Sequence, residues 1–488
     1  MALTEQEEAN VRQMLTAFQR AKRINELPWA TGKLSDMSVP VQDESGETRR
    51  MNLAEAVDTA GNPIAGRYWD ETNSTPTAAG YYGSLAALKA LPGKLGLGRY
   101  LVGDDRVRRK LDPADSNRYE DGGPARLDGS EGQCMWCWNA HYYTTWKEGN
   151  NTVETVTFQP IPGKKSVYVP AGGISWFNAG VVDRTEQKLC SVISTDERYR
   201  GGNGSALADT YDLAAGAPQK TMLGMAATYI GMTTFGSYAR KRGEGWEGNW
   251  FVARAVIEYL PRIILGTRNI QAAYNPQLDA DGLHQGGLGA GVTGMPDWSG
   301  YNGCYPLIPT SVGLEMGDGL GVVEYSVTKG DGTSVYVAPV PVFFGLVNPG
   351  YGHLTTGVRG LVIDADTEQT LGYVAPSMYA AFDDTNTEGL LLAAELPRDA
   401  GYIKKLSTHL LCCLPTEIGA TASTYFSDYF YTNAKTSQGL RVRLAGGNSG
   451  NGTNAGSSRT STNDAASNAN AIVSVPLCFF EEDPVISE

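Results

Sequence analysis

Cys134-Met135-Trp136-Cys137, followed by His141, spaces two thiols as a zinc site would. A complete zinc site needs four ligands, and no second cysteine pair follows at a suitable distance. Packed thiols are therefore expected in an aromatic core with Trp138, Tyr142, Tyr143 and Trp146. Asp364, Asp366 and Glu368 alternate as calcium ligands might, as do Asp279 and Asp281, but neither set has EF-hand spacing and both read as solvated turns. Gly286-Gly287-Leu288-Gly289-Ala290-Gly291 has the composition of a phosphate loop without the Gly-Lys-Ser/Thr that would hold a phosphate. His141, His284, His353 and His409 lack helical metal spacing, and no Gly-x-Ser-x-Gly elbow provides a nucleophile. The expectation is a protein that is not an enzyme and has no metal and no cofactor.

Recognition chemistry is the other possibility, and one segment favours it. From Leu444 to Phe480 the chain has no Lys, Glu, Gln, Met or Trp, and most of the run is Gly, Ser, Thr, Asn and Ala. None of the five missing residues has a codon ending in cytosine, so the run could have been written by varying the adenines of AAC-type asparagine codons. A flexible tail is the plainer account of such a composition. Against it, Ile472-Val473-Ser474-Val475-Pro476-Leu477-Cys478-Phe479-Phe480 alternates like a core strand, and Leu440-Arg441-Val442-Arg443-Leu444 precedes the run as another. Aromatic residues cluster at Trp298, Tyr301 and Tyr305, and again at Tyr425, Phe426, Tyr429, Phe430 and Tyr431 just before the run, as core or as a binding surface.

The elements that must position these residues follow from the rest of the chain. At 488 residues it can form two or three domains or one large domain with insertions, and 59 Gly with 24 Pro favour a loop-rich fold. A net charge of −13 without basic clusters argues against a nucleic-acid or anionic-membrane partner. No secretory signal or membrane-spanning run is expected, and seven cysteines without framework spacing read as reduced thiols. Thr4 and Glu7 have capping-box spacing ahead of Val11, Met14, Leu15, Phe18 and Ala21, a narrow helical stripe. Residues 37–65 read as a strand, a turn and a second short element, and 66–124 as a connecting region with a helical stretch at 85–91. Helices are expected over 221–229 and 250–260, the second interrupted at Pro261 and continuing toward Asn275, and strands at 322–327, 335–337, 342–344, 361–363 and 440–444. This is an α+β architecture, divided as 1–33, 34–124 and 125–488, with a variable segment at 444–475.

Several stretches carry a family resemblance: Gly266-Thr267-Arg268-Asn269-Ile270-Gln271-Ala272-Ala273-Tyr274-Asn275, Gln285-Gly286-Gly287-Leu288-Gly289-Ala290-Gly291, and Gly345-Leu346-Val347-Asn348-Pro349 with Gly352-His353. The closest match is Ser423-Thr424-Tyr425-Phe426-Ser427-Asp428-Tyr429-Phe430-Tyr431, leading to Gly439-Leu440-Arg441-Val442, Gly446-Gly447-Asn448 and Asn454-Ala455-Gly456. Over residues 125–480 the chain resembles the variable proteins of diversity-generating retroelements, which have a C-type lectin-like fold related to formylglycine-generating enzymes. Its N-terminal helix and hairpin look like the start of tail proteins from Bacteroides-type phages.

The resemblance implies a phage tail-tip receptor-binding protein, or adhesin, made in a bacterial cytoplasm and carried on the virion. Its partners would be a host surface receptor and other tail proteins, and its assembly a homotrimer. Carried over between the anchor motifs, the exchangeable ligand-binding positions are Ser449, Gly450, Asn451, Thr453, Arg459, Ser461, Asn463 and Asp464, with Ile472 at the margin. Tyr425, Tyr429, Tyr431 and Trp298 would support them. Arg459, the only long side chain among them, is the expected hot spot. Ser474-Val475-Pro476 departs from the glycine, small residue and arginine more usual in the family. The calcium triplets of sugar-binding lectins are absent, and Cys412-Cys413 read as buried thiols rather than an oxidase pair. The alternatives are a structural virion protein of the same fold with a fixed assembly surface, and an oxidase-like or glycan-hydrolase relative.

Overall fold

The computed structural model describes residues 63–207, 218–295, 298, 302–328 and 335–487, and the backbone of a hairpin, Ser38–Gln42 with Thr48–Asn52. The amphipathic helix expected at 4–27 lies outside the described residues, as does Tyr301. The fold is predominantly β, with three α-helices longer than a single turn among the described residues: Leu85–Lys94, Met232–Arg240 and Phe251–Leu265.

Chain contacts define two compact units, Met1–Glu71 with Ala79–Leu91 and His141–Tyr168, and Thr72–Ala78 with Pro92–Ala140 and Val169–Glu488. This differs from the boundary expected at 125, because sheet pairing interleaves the segments. Ala65–Asp70 pairs with Asn151–Thr157 in the smaller unit, while Gly98–Val102 pairs with Gln133–Trp138 in the larger. The smaller unit is built on a five-stranded sheet in the order Ser166–Val169, His141–Glu148, Asn151–Thr157, Ala65–Asp70, Gly80–Gly83.

In the larger unit a six-stranded sheet runs Trp246–Gly248, Leu477–Phe480, Gly172–Ser175, Gln133–Trp138, Gly98–Val102, Arg108–Lys110. The apolar run expected near the end is thus a strand between two others, with Val473–Ser474 before it pairing in parallel with Thr355–Thr356. Pro476 separates the two pieces, having no N–H to give to a ladder. A second, larger sheet runs Leu391–Glu395, Thr370–Val374, Thr355–Ala365, Gly439–Ala445, Thr460–Ser461, Tyr429–Tyr431, Gly401–Ser407, Leu414–Ile418. Gly321–Thr328, Val335–Phe343 and Leu346–Val347 form a separate meander, joining the two strands expected at 335–337 and 342–344 into one.

The helices differ from expectation in two places. Residues 222–229 are not helical: Met222 and Tyr229 take φ of 58° and 63°, and Ala227 and Thr228 donate their N–H groups to Gly180 and Gly202 instead of to a preceding turn. A helix begins later, at Met232. Phe251–Leu265 runs through Pro261 and stops at Gly266, whose left-handed backbone (φ 67°) returns its N–H to the Arg262 carbonyl. All of its residues are buried, including Arg254, Glu258 and Arg262, which recur every fourth residue along one face.

Candidate ligand-binding surface

Period-two alternation sets the surface. In Tyr429–Tyr431, Phe430 is fully buried and the two tyrosines lie on the opposite face, half-buried. Tyr402 stands opposite Tyr429 across the antiparallel ladder. The three rings form a contiguous cluster, with centroids 5.0 Å apart for Tyr402 and Tyr429 and 4.6 Å for Tyr429 and Tyr431. On the other side Tyr429–Tyr431 pairs in parallel with Thr460–Ser461, which pairs with Leu444–Ala445. The variable-type run is thereby led directly onto the tyrosines. Tyr402 Oη donates to Asn454 Oδ1 (2.7 Å) and lies 3.3 Å from Thr453 Oγ1, while Asn454 Nδ2 donates to Tyr431 Oη (2.8 Å).

The loop between the strands is shaped by its own backbone and by the Asn448 and Asn451 side chains. Gly446 N–H donates to Arg459 O (3.1 Å), Gly456 N–H to Gly446 O (3.0 Å), and Asn448 N–H to Asn451 Oδ1 (2.8 Å). Gly456 has φ of 143°, and a Cβ there would lie 1.7 Å from Asp428 Oδ1, so no other residue fits.

Buried charges outside the loop fasten it from beneath. Glu258 Oε1 accepts from Arg254 Nε at 2.7 Å and from Arg443 Nη2 at 2.8 Å, with all three side chains fully enclosed. Arg254 passes on to the carbonyls of Gly350 (2.8 Å) and Ser457, and Arg443 to Thr460 Oγ1 (3.1 Å). Asp428 Oδ2 accepts the Ser458 N–H at 2.7 Å, and burial holds its carboxyl well above the usual carboxylate range. Gln271 Nε2 donates to Ala455 O. The contacts to Ser457 O, Ser458 N–H and Ala455 O reach loop backbone, the one to Thr460 reaches its hydroxyl, and none of them uses a side chain between 449 and 454.

The expected contact positions separate by exposure. Gly450, Thr453 and Asn463 are exposed, and Asn451 and Asp464 are half-exposed. Ser449 and Ser461 are buried, so neither presents its side chain for contact; the Ser449 backbone is held between Met295 N and His353 O. Arg459 does not protrude as expected. Its side chain is 7% exposed and lies over Tyr431, guanidinium carbon 4.9 Å from the ring centroid. Tyr429 and Tyr431 join the cluster, whereas Tyr425 is anchored by its N–H to Ser74 O and packs near Lys404. Trp298 is buried and sits beneath Gly450 rather than at the surface. Sequence reasoning missed Tyr402, for which the alternation Tyr402-Ile403-Lys404 was the available signal. It also missed the Arg254–Glu258–Arg443 clamp, which shows in the sequence as Arg-x-x-x-Glu inside an apolar helix.

The residues weighed for chemistry are placed as follows. Cys134 and Cys137 lie on one strand three positions apart, which directs their thiols to opposite faces of the sheet, and burial raises both thiol pKa values. Cys412 and Cys413 are buried, with thiols likewise pushed up by burial. Asp279 and Asp366 each accept backbone N–H groups of the turns they begin. Asn178, Asn348 and His353 line a cavity of about 10 Å³, and burial holds the His353 imidazole down to about 3. Among the described residues no helix is long and apolar enough to cross a membrane. No family model matches the chain, and no curated protein is significantly similar to it.

Proposed function

We propose that this chain is a phage tail-tip receptor-binding protein, an adhesin of C-type lectin-like fold whose surface around Tyr402, Tyr429, Tyr431, Thr453 and Asn454 contacts the host. The observation that carries this reading is the division of labour at 446–463: the backbone of Ala455, Ser457 and Ser458 is held by Gln271, Arg254 and Asp428 from other segments, while Gly450, Thr453 and Asn463 face outward. Such a surface can change its displayed side chains at little cost to the scaffold. In this reading the protein is not an enzyme. It is carried on the virion as a homotrimer among other tail proteins, and its run, which lacks the residues that have no C-ending codon, is diversified by a retroelement.

The burial of Ser449, Arg459 and Ser461 favours a second reading, a virion protein of the same fold whose run is fixed and mediates assembly. Two measurements separate them. The coding DNA should carry C-ending codons through 448–472 and a near-copy differing only at adenines, beside a reverse transcriptase gene; absence of both removes diversification. Thr453→Trp and Tyr429→Ala should reduce adsorption of the full chain to host cells at least tenfold while virions still assemble. Loss of assembly with adsorption intact would select the second reading.

A further inference from the structure

Arg459 is a buried cation without a protein anion. Its Nε and Nη1 are enclosed and have no hydrogen-bond partner, and no carboxylate of the described residues stands within ion-pair distance of it. Several other buried guanidinium groups of this unit are met, although Arg262 Nε and Nη1 are likewise enclosed without a hydrogen bond. Arg254 and Arg443 share Glu258, Arg359 has Glu247 and Asp384, and Arg99 has the carbonyls of Gly313 and Gly345. Asp464 is the carboxylate whose field reaches Arg459, but it accepts from Asn468 Nδ2. Burial lowers the Arg459 pKa to about 10, which leaves it charged at neutral pH. Enclosing a charge without an anion is costly, and an oxyanion brought to the guanidinium would offset that cost.

We infer that Arg459 is the oxyanion subsite of the Tyr402–Tyr429–Tyr431 surface and that the ligand is an acidic saccharide, its carboxylate taken by Arg459 and its ring packed on the tyrosines. This inference rests on the adhesin reading above. Tyrosine rings offer flat apolar faces with polar tips, and Asn454 with the Tyr402 and Tyr431 hydroxyls adds donors and acceptors that suit ring hydroxyls. An acidic peptide fits less well. Tyr429–Tyr431 is paired on both sides, by Gly401–Tyr402 and by Thr460–Ser461, so no free strand edge accompanies the cation to take a peptide backbone. Thr453, exposed beside Tyr402, then sits at the rim and tunes which saccharide is admitted.

The test is titration calorimetry of the full chain with an oligogalacturonate, with the same oligomer fully methyl-esterified, and with oligoglutamate. The acid oligomer should bind at least tenfold more tightly than its ester. Arg459→Gln should remove that preference, and Tyr429→Ala should weaken binding of both. Sulfate added to the wild-type chain should compete with the acid oligomer and not with the ester, a measurement that needs no variant to fold. Equal binding of acid and ester, no binding of either, or preference for oligoglutamate overturns the acidic-saccharide assignment. If host adsorption is still lost in Tyr429→Ala, the adhesin reading stands without it; if adsorption ignores both Tyr429→Ala and Thr453→Trp, that reading falls as well.

Discussion

Glu258→Gln tests whether the loop is held by the buried clamp. The carboxylate oxygen Oε1 is the common acceptor of two guanidinium groups at 2.7 and 2.8 Å, and none of the three side chains meets solvent. Glutamine keeps the shape but leaves two like charges facing each other in a low-dielectric interior. Removing one partner of such a buried set costs about 3–5 kcal/mol. At about 2 °C per kcal/mol, the low end for large domains, the melting temperature of the larger unit should fall by about 6–10 °C. Differential scanning calorimetry gives that shift, and amide exchange over 446–461 reports the loop separately.

A triple variant, Arg254→Met with Glu258→Leu and Arg443→Met, removes the charges together. Replacing a whole buried ionic set with apolar groups is often neutral or stabilising, so its melting temperature should lie well above that of Glu258→Gln. Its loop should nevertheless exchange faster, because the bonds from Arg254 to Gly350 O and Ser457 O and from Arg443 to Thr460 are gone. A single variant that melts with the wild type, or a triple variant less stable than the single, would refute the reasoning.

Other substitutions and pH changes probe the surroundings. Gly456→Ala, whose Cβ would meet Asp428 and whose backbone has positive φ, should cost several kcal/mol, on the order of 3, and abolish adsorption, whereas Asn463→Ala should leave stability within about 0.5 kcal/mol. His353 is kept neutral by burial, with its pKa lowered to about 3, while the unfolded chain protonates near 6.5; its contribution is therefore complete above about pH 6.5 and is lost as pH falls toward 3. His353→Leu should flatten that acid limb in urea melts at stepped pH. Asp428 has the opposite sign: its raised pKa means the unfolded chain releases the proton first, so stability declines as pH rises from the ordinary carboxylate range through the raised value. Asp428→Asn, which retains an acceptor for Ser458 N–H, should remove that decline and leave the melting temperature at pH 8 equal to or above that of the wild type.

Strands were the most legible part of the sequence. Gly321–Thr328 carries Val322, Val323, Tyr325 and Val327, while Gly439–Ala445 and Leu477–Phe480 are short runs with buried residues at consecutive positions. The stretch 222–229 misled because Met222, Met225, Ala226 and Ala227 are buried by loop contacts rather than along a helix, and periodicity cannot tell those apart. Exposure within the variable-type run was illegible for a related reason. Ser449, Ser461 and Thr453 are alike in composition, and only the pairing of Leu444 with Ser461 and of Gly446 with Arg459 decides which side chains face inward. The length of Arg459 suggested reach, whereas its side chain folds over Tyr431.

The strand at Leu477–Phe480 is inserted between Gly172–Ser175 and Trp246–Gly248, so the six-stranded sheet is incomplete until the chain beyond the variable-type run has been translated. Folding of that sheet therefore depends on the whole run having been read through in frame. A frameshift or stop between 446 and 476 withholds the strand that joins Gly172–Ser175 to Trp246–Gly248.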